Sequence, residues 1–123
     1  MAKPKKDPKR ERRIELEIVA DAHDSEELAM GWYNYLEDQL RFPFTASCIA
    51  ERPISPLRTG DEVEVLELTS PDECQHEMFV GIRWERHPLG VPLAQLKPIQ
   101  HTDKTTKEAV ADWHYWVAQR YEF

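Results

Sequence analysis

The residues with the clearest chemical potential are carboxylates at helical spacing. Asp24, Glu27, Asn34 and Asp38 fall close to one face of a segment spanning residues 25–40, with Glu37 beside them and Gly31 between. Carboxylate and amide oxygens are the donors a hard cation such as Ca²⁺ requires, six to eight of them in all. One helix cannot close such a site, because a rise of about 1.5 Å per residue sets Asp24 roughly 21 Å from Asp38. Further oxygens must therefore come from other segments. The candidates are Asp61 and Glu62 at the Gly60 turn, Asp72 and Glu73 in a loop, and Glu108 or Asp112 near the C-terminus. Against this stands the plain alternative of a solvated helix face with ordinary caps.

Other chemistries find less support. The nearest approach to an EF-hand loop opens at Asp21-Ala-His-Asp-Ser, but its sixth position is Glu26 instead of Gly and its twelfth is Trp32 instead of Glu. Cys74-x-His76, with Cys48, His87, His101 and His114 scattered elsewhere, lacks the paired clips of a structural zinc site. Cys48 alternates within an apolar run and reads as a small buried hydrophobe. No nucleophile elbow, glycine-rich phosphate loop or H-E-x-x-H motif occurs, and Cys74 with His76 or His114 makes only a weak nucleophile–base pair, so no enzymatic activity is expected.

The elements that must position these groups follow from periodicity. Ser25 to Leu40 is an amphipathic helix, with Asp24 or Ser25 as cap, Glu26 and Glu27 in the first turn, and Leu28, Trp32, Tyr35, Leu36 and Leu40 as its apolar stripe. Ile14 to Ala22 fits either an alternating strand or a helix, and the charged run before it favours the helix. Strands are expected at Phe44–Glu51, within Leu57–Leu68, at Met78–Glu85 and at Gly90–Leu93, the last an edge strand because of Pro92. A helical turn from Leu93 and a short strand to Ile99 follow. Thr105-x-x-Glu108 has the form of a capping box for a final helix whose Trp113 and Trp116 should pack against Trp32 and Tyr35. The expected fold is α+β: a small SH3-like barrel of four to five short strands, flanked by N-terminal helices and a C-terminal helix.

Charge separates the chain into two parts. Residues 1–13 carry seven Lys/Arg against Asp7 and Glu11, a net +5, whereas residues 14–123 hold 21 acidic against 9 basic side chains, a net −12. The first part reads as a loosely held basic leader, disordered over residues 1–9, and the second as one acidic domain. A body so charged repels itself, and cations relieve the repulsion. The same charge opposes phosphate, so the aromatics Trp32, Tyr33, Tyr35, Trp113, Tyr115 and Trp116 read as core, and nucleic acid is not an expected partner. No apolar run approaches the roughly 18 residues a membrane span needs, no secretory leader is evident, and a reduced, cytoplasmic setting suits the two cysteines.

Three stretches together carry a resemblance: Ala29–Asp38 running into Phe42–Ala46, Glu51–Leu57 with Gly60–Val65, and Asp112–Val117. They resemble the cyanobacterial calcium-binding protein (CcbP-like) family, over nearly the whole chain. The resemblance implies a small acidic protein that binds Ca²⁺ without EF-hands and buffers or sequesters it in the cytoplasm. The chain departs from that pattern in His23, Arg41, Arg83, Arg86 and His87, which dilute the negative field and should weaken affinity. The resemblance matches no individual ligands; from the helix face, the expected site is built from Asp38 and Glu37, supported by Asn34, Glu27 and Asp24, with Asp61, Glu62, Asp72 and Glu73 as donors from a second segment. The alternative is an SH3-like protein-interaction module without metal, anchored by Tyr33, Trp84 or Tyr115.

Overall fold

The computed structural model describes residues 5–123. The sequence reading starts the first helix at Ile14, but helix α1 begins at Pro8 and runs to Arg13. Asp7 Oδ1 accepts from the backbone N–H groups of Lys9 and Arg10, each at 3.1 Å. Pro8 fills the first turn, where a missing N–H costs nothing. A π-helical turn, Ile14–Ile18, continues α1 and buries Ile14 and Ile18. The expected looseness of residues 1–9 therefore does not extend to Asp7–Lys9, while Met1–Pro4 lie outside the described residues.

The reason is an ion-pair clasp. Asp112, with a fully buried side chain, sits between two guanidinium groups. Arg10 Nη1 donates to Oδ1 at 2.6 Å, and Arg13 donates through Nη2 to Oδ1 at 2.7 Å and through Nε to Oδ2 at 3.0 Å. The Tyr35 hydroxyl donates to the remaining Oδ2 lone pair at 2.7 Å. A carboxylate this buried needs such saturation, since an unpaired charge in the interior is very costly. Asp7 N–H donates to Tyr115 Oη, and the Tyr121 hydroxyl donates to Glu11, tying the same two ends of the chain.

Helix α2 spans Ser25–Gln39 and is capped by Asp24, as its sequence predicts. Helix α3 spans Lys104–Ala118, but its cap is Asp103, whose Oδ2 accepts from Thr106 N–H at 2.9 Å. The Thr105–Glu108 capping box does not form, because Asp103 supplies the acceptor two residues earlier and Glu108 turns to Arg10 and Arg13. Trp32 is the hub between α2 and α3: its ring lies 5.0 Å from Trp113 and 5.5 Å from Trp116. Gly31 lets α2 reach the π-helical turn, because a Cβ there would overlap the Ile18 carbonyl.

Five antiparallel strands make one sheet in the order β4-β3-β2-β1-β5: β1 Phe44–Cys48, β2 Glu62–Leu68, β3 Phe79–Trp84, β4 His87–Pro92 and β5 Leu96–Pro98. Each expected strand is present; β1 and β3 are shorter at their ends, β4 begins three residues earlier, at His87, because it pairs with β3 back to Trp84, and a 3₁₀ turn, Pro71–Cys74, joins β2 to β3. The expected barrel does not close. The order is linear, and the outer edges lack what closure needs. Leu93 N–H donates inward to Met78 O, so by alternation the outward amides of β4 are those of Pro88, Gly90 and Pro92, of which two are prolines. On β5, Leu96 N–H is taken by Leu93 O, Leu96 O by His114 Nε2 at 2.6 Å, and Pro98 has no N–H.

Candidate metal site between α2, β2 and β4

The strand register sets one row of residues across three strands. Glu67 of β2 pairs with Gly81 of β3, which pairs with Gly90 of β4. With no side chains on β3 and β4, the row leaves room above the sheet, and two carboxylates use it. Glu67 leans over Gly81, its Cγ 3.4 Å and Oε1 3.7 Å from where a Cβ would stand, and Glu73 Oε2 lies 3.5 Å from the corresponding point on Gly90. A cleft of about 330 Å³ opens here, lined by Tyr33, Glu67, Thr69, Ser70, Glu73, Pro88 and the glycines, and, among the described residues, by no lysine or arginine.

Helix α2 is fixed over this cleft by Tyr33, whose hydroxyl donates to Thr69 O at 2.7 Å. Glu37 lies one turn further along the same face. The Tyr33 phenol is pushed above its ordinary pKa, first by burial and then by the negative fields of Glu37, Cys74 and Glu67. Tyr33 thus stands within electrostatic reach of carboxylates on both α2 and β2. Many other acids are already engaged: Glu64 with Arg83, Glu77 with Arg52, Glu108 and Asp112 with Arg10 and Arg13. Glu67 has no hydrogen-bond or ion-pair partner among the described residues.

The sequence-predicted residues separate by position. Glu73 lines this cleft, and Glu37 stands exposed one turn beyond Tyr33, close enough for its charge to act on the Tyr33 phenol. Asn34 and Asp38 lie on the exposed face of α2, where Asp38 Oδ2 accepts from Gln39 Nε2 at 2.8 Å. Asp72 reaches α2 at its other end, in a groove of about 490 Å³ with Ser25, Glu26 and His76. Asp24 spends Oδ1 on Glu27 N–H at 2.8 Å as the helix cap, with Glu27 exposed beside it. Asp61 Oδ2 closes a turn by accepting from Arg58 N–H at 2.9 Å, and Glu62 opposes Ser47. Both stand at the far end of β2, about 17–20 Å from Glu67 at some 3.3 Å per residue. Glu67 escaped sequence reasoning; the available signal was its outward place in a strand facing two glycine-bearing strands.

Among the described residues no three His, Cys, Asp or Glu side chains converge as a closed metal cage. The cleft is an open set of hard oxygens, the donor type that suits Ca²⁺ and not a soft metal. The alternative anchors do not share one groove: Tyr33 is bonded to Thr69, Tyr115 to α1, and Trp84 sits at the β3–β4 hairpin opposite His87.

The crystal structure of Anabaena CcbP superposes with a TM-score of 0.87 at 40% identity, covering 100% of both chains. A calcium binding protein in the calcium-binding form matches with a TM-score of 0.86 at 39% identity, again over 100% of both chains. No curated protein matches the chain. Residues 12–117 match the CcbP family, whose description is calcium binding. With that match over most of its length, this chain belongs to the CcbP calcium-binding family.

Proposed function

We propose that the protein binds Ca²⁺ in the α2–β2–β4 cleft and serves as a cytoplasmic calcium buffer. The observation that carries the reading is the pair of carboxylates, Glu67 and Glu73, set over a glycine pair beside Tyr33 and Glu37, in a chain of a calcium-binding family. Glu67 and Glu73 would be the principal donors, with Glu37 the donor from α2. Because the carboxylates stand apart, the ion keeps part of its water shell. Binding relieves their mutual repulsion and stabilises the fold, by about 2.7 kcal/mol at a hundredfold excess over Kd.

Calorimetric titration with Ca²⁺ in physiological salt and magnesium tests this. Glu67→Gln and Glu73→Gln should each weaken binding about tenfold, whereas Asp61→Asn and Glu62→Gln should leave it within about twofold. Full affinity in a Glu67→Gln/Glu73→Gln double variant would place calcium elsewhere. No heat at millimolar Ca²⁺ would refute calcium binding itself.

A further inference from the structure

A second cleft lies on the opposite edge of the sheet, between β5 and α3. It is lined by Ile49, Pro98, Val110, Ala111 and His114, with Lys97 and Lys107, around a volume of about 370 Å³. Lys107, Val110, Ala111 and His114 occupy one face of α3 at i, i+3, i+4 and i+7. His114 Nε2 is held by Leu96 O at 2.6 Å, which sets the ring against β5 as part of the wall. Ile49 is 44% exposed at the mouth, an apolar side chain left in water.

The charge of this cleft opposes that of the molecule. Residues 14–123 contain three lysines, Lys97, Lys104 and Lys107, and two of them, Lys97 and Lys107, line this cleft in a chain whose net charge is −7. The arginines Arg41, Arg52 and Arg83 each pair with a carboxylate, whereas neither Lys97 nor Lys107 has one within ion-pair distance among the described residues. Lys107 Nζ instead donates to Gln100 O, and no acid lines the cleft. Two uncompensated ammonium groups over an apolar slot call for one anionic head on an apolar body. The volume lies at the low end of the roughly 300–1,000 Å³ of small-molecule sites and is too small for an α-helix about 10 Å across.

We propose that the β5–α3 cleft is a second ligand site, independent of calcium, that takes a small amphipathic carboxylate: Lys97 and Lys107 hold the carboxylate while Ile49, Pro98, Val110 and Ala111 cover its apolar body. Octanoate is a suitable probe, titrated into the ¹⁵N-labelled full chain. Saturable amide shifts are expected at Ile49, Lys97 and residues 107–114, and octylammonium, equal in length and opposite in charge, should bind about tenfold more weakly. Lys97→Glu/Lys107→Glu should invert that preference, and Ala111→Trp, filling the slot, should abolish both. Equal binding of the two probes by the native chain overturns the proposal without recourse to any variant. So does an absence of saturation, or binding of an acidic apolar peptide where octanoate fails, which would make the cleft a protein-docking site.

Discussion

Replacing Asp112 with asparagine keeps the shape of the buried group and removes its charge. Four donor contacts converge on it: one from Arg10, two from Arg13 and one from Tyr35. Breaking a fully buried ion pair costs about 3–5 kcal/mol. Here the guanidinium side chains are 20% and 27% exposed and recover some water when released, so we expect about 2–4 kcal/mol. At roughly 4 °C per kcal/mol for a chain of this size, Tm should fall by about 8–16 °C. Thermal unfolding followed by far-ultraviolet circular dichroism measures this. Because the clasp is shielded from solvent, the deficit should persist in high salt, where a surface pair would be screened. The Tyr35 phenol, raised by burial and then by Asp112, should also titrate lower in the variant. A Tm within about 3 °C of the parent, or a deficit that salt erases, would refute the reasoning.

Three further outcomes are expected. Gly31→Ala forces a methyl group onto the Ile18 carbonyl and should cost about 2 kcal/mol or more by parting α2 from the π-helical turn, in spite of alanine's better helix propensity; chemical denaturation measures it. His114 is held below its ordinary pKa by burial, against the hydrogen bond to Leu96 O and with the help of Lys97. The unfolded chain therefore binds a proton at His114 that the folded one resists, and stability contributed here is lost as pH falls below about 6.5 and levels off under the folded value; His114→Asn should flatten that part of the stability–pH profile. Gly81→Ala sets a methyl group in contact with Glu67, 3.4 Å from Cγ and 3.7 Å from Oε1, filling space that the carboxylate and a hydrated ion would share, and should weaken calcium binding severalfold with little change in circular dichroism.

The fold was largely legible because its signals are local. Asp24 followed by a Trp32–Leu36–Leu40 stripe specifies α2, and alternation of Val63 and Val65 specifies β2, whatever the rest of the chain does. What escaped depends on distant partners. Nothing in residues 8–13 announces that Arg10 and Arg13 will meet an aspartate about a hundred positions away, and without it the segment reads as a charged tail. The capping box failed because a second aspartate, two residues upstream of Thr105, competed for the same N–H groups. The proposed site divides in the same way: Glu37 is a candidate from its helix face alone, whereas Glu67 becomes one only through the register that sets it beside Gly81 and Gly90.

The edges of the sheet have a consequence for assembly. An exposed strand with free amides can be extended by a strand from another chain, the route to donor-strand complexes and to fibrils. With Pro88 and Pro92 on one border, and Pro98 beside a Leu96 whose N–H and carbonyl are both occupied on the other, neither border offers a continuous ladder to a newcomer. The chain is thereby built to remain unextended even where bound cations neutralise the repulsion that otherwise holds its copies apart.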